Sequence, residues 1–284
     1  MSCPSEPAEY NYNDRPKALI LAIANQKGGV GKTTSSVKIA ASLAAAKRRV
    51  LLVDLDPQGN ATMGTGVDKR TLEHSVYDLL MGESTAAEVV VKELAAGYDL
   101  LPANSDLTGA EIGLLEEIGR ELRLKSALES VKGQYSHVIV DCPPSLNMLT
   151  VNALVAADAV IIPVQCEYFA LEGISALVET VEKIRKFLNP GLHIEGVLRT
   201  MFDPRNNLAN EVSQQLVAHF GARVYQTVIP RNVRLAEAPS HGLPALIYDK
   251  SSAGALAYLT LAGEMLRREE AGERAASLPQ GAST

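Results

Sequence analysis

Long apolar runs, paired cysteines and a surplus of positive charge are all missing from this sequence of 284 residues. No stretch of about 18 apolar residues occurs, so no transmembrane helix is expected. Met1–Pro16 carries Glu6, Glu9 and Asp14, with no basic region leading into an apolar one. It does not read as a secretory signal but as a flexible arm over residues 1–17. The three cysteines, Cys3, Cys142 and Cys166, are far apart and form no C-x-x-C pair. They argue against a disulfide framework or a cysteine-based metal site, and for a reducing cytosol. The net charge of −6 is unlike that of a globally basic nucleic-acid binder. A local basic patch stays open, because such a patch acts over roughly one Debye length. No internal repeat and no Gly/Ser/Pro-rich linker divides the chain, so a single domain is expected over residues 18–268. The tail, residues 269–284, is charged and then rich in small residues, and is expected to fray.

What is present is a regular alternation of short apolar runs and longer helical patterns. Ala18–Asn25, Arg49–Asp54, Tyr98–Pro102, His137–Asp141, Ala159–Val164, His193–Met201 and Tyr225–Ile229 read as strands. Most are nearly continuous apolar runs, as strands covered on both faces are. Thr33–Lys47, Glu172–Leu188, Asn210–Phe220 and Ala253–Arg268 carry apolar residues at three-to-four spacing and read as helices. This predicts an α/β fold: a doubly wound, mainly parallel sheet flanked by helices.

Gln26–Thr34 follows an apolar strand and opens an amphipathic helix, the setting a phosphate-binding loop requires. Its glycines, Gly28, Gly29 and Gly31, let the backbone curl so that successive N–H groups, Val30 and Thr34 among them, face an anion. The helix N-terminus adds partial positive charge. Lys32 is expected to reach the β- and γ-phosphates of ATP, and the Thr33 hydroxyl to ligate Mg²⁺. Two acidic motifs end buried strands: Asp54-Leu55-Asp56-Pro57 and Val140-Asp141-Cys142-Pro143. Carboxylates at that sheet edge can hold Mg²⁺ through water or orient an attacking water. Asp54, Asp56 and Asp141 are therefore the expected metal-side residues, with Asp141 at the position of a Walker B carboxylate.

The loop departs from the usual G-x-x-x-x-G-K-[ST] spacing. Gln26 stands where the first glycine would fall, followed by Lys27. The string Lys27-Gly28-Gly29-Val30-Gly31-Lys32-Thr33 resembles the deviant phosphate loop of the ParA/MinD group of ATPases. Asp54 to Asn60 resembles ParA-type proteins, as do Pro163 to Gly173 and Thr200 to Arg205. Pro230 to Ser240 (PRNVRLAEAPS) is similar to Soj-like chromosomal members. The resemblance covers about residues 18–268 and implies the following. Lys27 acts across a dimer interface on the partner's nucleotide, and Asp56 orients the hydrolytic water. Pro230 and Asn232 lie against the adenine. Arg205 and Arg234 contact DNA without sequence preference, with Arg231 and Lys250 as weaker candidates. The ATP-bound homodimer sits on double-stranded DNA in the cytoplasm, at the nucleoid, until a ParB-type partner stimulates hydrolysis. About 17 residues precede the first strand, so no helix-turn-helix and no operator binding are expected.

Two alternatives remain within the same superfamily. A MinD-like membrane-cycling ATPase needs a basic amphipathic C-terminal helix. Arg267–Arg274 is instead mixed in charge. An iron–sulfur carrier needs placed cysteines, and Cys142 and Cys166 form no ligand motif.

Overall fold

The computed structural model describes residues 18–277, with side chains to residue 272. The expected arm, residues 1–17, and the last residues of the tail, 278–284, lie outside the described residues. Six strands form one parallel sheet: β1 (Leu19–Ile23), β2 (Val50–Asp54), β3 (Asp99–Leu101), β4 (His137–Asp141), β5 (Ala159–Gln165) and β6 (His193–Thr200). Their order across the sheet is β3-β2-β4-β1-β5-β6. Every connection is therefore a crossover. α1 (Lys32–Ala45) follows β1. The β2–β3 connection holds α2 (Asn60–Gly64), α3 (Val76–Met81) and α4 (Ala86–Val89). α5 (Leu107–Gly113) and α6 (Arg123–Glu129) precede β4, α7 (Met148–Ala156) precedes β5, and α8 (Ala170–Phe187) precedes β6. After β6 come α9 (Asn207–Phe220), α10 (Val233–Glu237), α11 (Ala245–Tyr248) and α12 (Ala253–Ser277).

The apolar runs are continuous because both sheet faces are covered. Side chains alternate between faces. Ile20, Ala22, Leu51, Val53, Val138 and Val140 enter one core with α5 to α9. Leu21, Ile23, Val50, Leu52 and Ile139 enter the other, beneath α1 and α12. Small residues let α1 pack closely there, and the buried Ser35 hydroxyl meets Tyr258 Oη of α12 at 2.9 Å. The register sets Asp54 and Ile23 each level with Asp141, so the three strands end together under one surface.

Tyr225–Ile229, expected as a strand, forms no ladder. It touches β6 at Tyr225 N→Val197 O (3.0 Å) and Ile229 N→Arg199 O (2.8 Å). Ile229 O accepts from Phe202 N at 2.9 Å, and the backbone of residues 225–227 is held by side chains. Glu264 accepts from Gln226 N and Thr227 N at 2.8 and 2.9 Å. Arg199 donates to Tyr225 O and Gln226 O at 2.8 and 3.1 Å. An apolar run reads as a strand whichever partner satisfies its backbone. The last helix also outruns its expected end at Arg268 and continues to Ser277. Arg268 and Glu264 pair one turn apart at 2.8 Å. His137 of β4 meets Glu269 at 3.1 Å in a buried contact, tying that part of the helix to the sheet.

Candidate active site

The phosphate loop starts from a pinned base. Asn25 donates from Nδ2 to Pro163 O (2.7 Å), and its Oδ1 accepts from Lys27 N (3.0 Å). Gly28 and Gly29 are exposed, and a Cβ at either would meet nothing within 4 Å. Gly31 caps α1 with φ of 86°, in the left-handed region that favours glycine. Val30 is buried, and its carbonyl accepts from Thr200 Oγ1 at the end of β6 (2.8 Å). Loop and edge strand are thereby tied together.

Lys32 is buried, and its ammonium donates to Lys27 O at 3.1 Å. Burial lowers its pKa, and the charge of Asp141 pulls it back up. Asp141 accepts from Ser36 Oγ at 2.8 Å and from the Thr33 hydroxyl. Burial, and then the neighbouring Asp54 charge, push its carboxyl upward. Its Oδ2 is buried with no partner among the described residues. A buried carboxylate oxygen left unpaired beside a lysine and a threonine hydroxyl fits a hydrated cation. The described residues include no cluster of three or more His, Cys, Asp or Glu that could cage a metal alone. Mg²⁺ is usually held by one or two protein groups together with phosphates and water.

Asp54, expected on the metal side, has both oxygens committed to its own loop. Oδ2 accepts from Thr62 N and Oγ1 at 2.8 and 2.7 Å, and Oδ1 from Asp56 N at 3.2 Å. These bonds also make it the scaffold of the Asp56 turn. That turn is tight. Gly59 has φ of 57°, and a Cβ there would lie 2.7 Å from Ala103 O. Asp56, 8% exposed, accepts from Gln58 N at 2.9 Å through Oδ1.

Lys27 stands apart from these carboxylates, with its ammonium paired to Glu167. A pocket of about 180 Å³ opens beside Gly31 and Thr34, lined also by Thr200, Pro230, Asn232 and Tyr258. Asn232 Oδ1 caps α10 by accepting from Arg234 N (3.1 Å). Cys142 is buried beside Lys32, and burial pushes its thiol up, so it packs as a small apolar side chain.

The four candidate DNA cations fall into two groups. Arg205 grips Asp203 through Nε and Nη2 at 2.9 and 2.8 Å, and Arg231 also bears on Asp203. Arg234 pairs with Glu237 at 2.7 Å and with Asp249 at 3.4 Å, next to Lys250.

A family model described as AAA domain matches residues 18–194. The sporulation initiation inhibitor protein Soj of Bacillus subtilis is 55% identical over 246 residues, 87% of this chain and 97% of its own length. The chromosome partitioning protein ParA of Caulobacter vibrioides is 52% identical over 252 residues, 88% of this chain and 94% of its own. The chain belongs to the ParA/Soj family of chromosome-partitioning ATPases. It is an ATPase, with ATP and Mg²⁺ as its nucleotide and metal. A Mycobacterium smegmatis protein described as cobyrinic acid a,c-diamide synthase, solved with ADP and magnesium, shares the fold. It is 40% identical with a TM-score of 0.79, covering 90% of this chain and 96% of that one.

The motifs of this ParA/Soj chain were legible, but several supports were not. Thr200, Asn25, Ser36 and Thr62 hold the loop and the acids in place. Only Thr200 stood in a motif, and nothing in that motif pointed to Val30.

Proposed function

We propose that this ATPase is a switch for DNA partitioning. Its ATP-bound form is a sandwich homodimer that binds double-stranded DNA without regard to sequence, in the cytoplasm at the nucleoid. A ParB-type partner stimulates hydrolysis and releases it. The observation that carries the reading is Lys27, whose ammonium pairs with Glu167 and with none of the site's own carboxylates among the described residues. A lysine placed so is suited to serve a second chain's nucleotide.

Within one chain, Lys32 and the N–H groups of residues 28–34 hold the β- and γ-phosphates. Thr33 and Asp141 would hold Mg²⁺, with Asp54 and Asp56 on the metal side, and the ion would supply positive charge to the phosphoryl oxygens. Asp56, fixed by the Asp54–Thr62 bonds, orients the attacking water. Lys27 of the opposite chain offsets charge on the transferring group. Pro230 and Asn232 face the adenine. Arg205, Arg231, Arg234 and Lys250 meet DNA phosphates, and dimerisation doubles their number.

The test is binding to unrelated duplexes with and without a non-hydrolysable ATP analogue. Sequence-blind binding that needs the analogue is expected. Binding that ignores the nucleotide, or none at all, overturns the reading. Among the described residues no helix is long and apolar enough to cross a membrane. Analogue-dependent binding to anionic liposomes in place of DNA would favour the MinD-like alternative.

A further inference from the structure

The Asp56 carboxylate is held through one oxygen. Oδ1 accepts from Gln58 N at 2.9 Å, and Oδ2 takes no hydrogen bond among the described residues. Where the Gln58 peptide sits therefore decides where the free oxygen points. A reacting geometry that drifts by about 1 Å can cost about 100-fold in rate. Whatever fixes that peptide thus bears on the chemistry.

Gln58 is exposed, and its own side chain makes no bond among the described residues. Its peptide is held from outside by Lys69, whose ammonium donates to Gln58 O at 2.5 Å. The stem of Lys69 lies over the same turn: a Cβ on Gly59 would meet Lys69 Cδ at 2.8 Å. The side chain thus fills the space that any larger residue at position 59 would need.

Lys69 is not one half of a surface ion pair. The acid next to it, Asp68, has both oxygens taken by Arg70, Oδ1 by Nε at 2.9 Å and Oδ2 by Nη2 at 2.8 Å. Lys69 has no carboxylate partner among the described residues, so its charge bears on one carbonyl close to Asp56. A charged donor makes a shorter and stronger bond than a neutral one. The turn that carries Lys69 is itself fastened to the acids. Val67 N donates to Thr62 O at 3.3 Å, and Thr62 holds Asp54. The bonds close a ring: Thr62 to Asp54, Asp54 to Asp56 N, Asp56 to Gln58, Gln58 to Lys69, and back through Val67 to Thr62.

We propose that Lys69 is a positioning residue for ATP hydrolysis, closing the ring that aims Asp56 at the attacking water. It acts through Asp56, and so rests on the reading of Asp56 as the group that orients that water. Its loss slows the chemical step and leaves nucleotide binding in place.

The test is single-turnover hydrolysis of ATP with Mg²⁺ by the full chain at saturating protein, with nucleotide affinity measured separately by a fluorescent ATP analogue. K69M keeps a stem over Gly59 and removes the donor. It should hydrolyse ATP about tenfold more slowly, the scale of one charged hydrogen bond, with affinity changed less than about twofold. K69R restores a charged donor and should return to within about twofold of wild type. In D56A the ring has nothing left to aim, so D56A/K69M should be no slower than D56A. R185M removes a surface cation elsewhere, one paired with Glu182, and should leave the rate as it is. A wild-type rate in K69M, no recovery in K69R, or an equal loss in R185M would overturn the proposal. So would a tenfold loss of affinity in K69M, which would make Lys69 a nucleotide ligand. A D56A/K69M chain tenfold slower than D56A would overturn it too, because Lys69 would then act apart from Asp56. Wild-type turnover in D56A would overturn the Asp56 reading and this one with it. Slow turnover in D56A beside a wild-type rate in K69M would overturn the role of Lys69 alone.

Discussion

The ATP edge and the cationic face of the C-terminal half handle charge in opposite ways. At the ATP edge, Lys32, Asp54 and Asp141 are buried, and neighbouring hydrogen bonds fix each in place. On the cationic face, Arg205 is 88% exposed and Arg234 about half exposed, each resting on an acid a few residues away. Buried charges cost several kcal/mol when a partner is removed, whereas exposed pairs contribute about 0–1 kcal/mol. One region is built to hold a geometry. The other suits the DNA role proposed for it: an arginine resting on Asp203 or Glu237 would trade that carboxylate for a phosphate at little net cost.

This contrast can be broken by experiment. Lys32→Ala should abolish ATP binding, a loss of at least about 100-fold, as removal of one buried charged donor to a phosphoryl group predicts. Tight binding of a fluorescent ATP analogue by the folded variant would show that the loop holds phosphate without it. Asp56→Ala should still bind ATP but turn over about 100-fold more slowly or worse, the scale of a lost water-orienting base. Wild-type turnover would remove Asp56 from the chemistry.

Lys38 sharpens the comparison from the side of stability. It is buried on α1, and burial lowers its pKa from 10.5 to about 8. The unfolded chain then binds more protons than the folded one between about pH 8 and 10.5. Stability should therefore rise with pH across that window, and the cost of burial is fully present below it. Lys38→Met should stabilise the fold at pH 7 by up to about 3 kcal/mol, a gain that fades as pH passes 10. Denaturant titration at pH 7 and pH 10 checks both the sign and the window. Equal gains at the two pH values would mean that packing, not charge, sets the effect.

The smallest effect belongs to the exposed face. Arg234→Glu should weaken DNA binding about tenfold at low salt, as loss and reversal of one phosphate contact suggests, and should flatten the slope of log affinity against log salt. An equal loss of nucleotide affinity would place Arg234 with the ATP site.

The same contrast explains what the sequence disclosed. The phosphate loop and its acids were readable because their chemistry needs fixed residue types at fixed short spacings. The parallel sheet was readable because strands buried on both faces must be apolar throughout. The supports were hidden because their partners lie far apart along the chain. Thr200 holds Val30 across 170 residues, and Asn25 holds Pro163 across 138. No local pattern encodes such pairs. Tyr225–Ile229 misled for a related reason: Glu264 and Arg199 take the backbone bonds that a strand would have made. The second task of Asp54 was hidden for the same reason, because its bonds to Thr62 and to the Asp56 amide are not written in the motif.

The bond from Thr200 to Val30 has a kinetic side. β6 is an edge strand, and sheet edges are among the places where native proteins open locally without unfolding as a whole. When the end of β6 opens, the phosphate loop loses its tether, so breathing at the rim of the sheet should shorten the lifetime of bound nucleotide. Linkage runs both ways. Nucleotide that keeps the loop closed should slow amide hydrogen exchange along the end of β6 and in residues 225–228, beyond Thr200 and Ile229, which line the pocket beside Gly31.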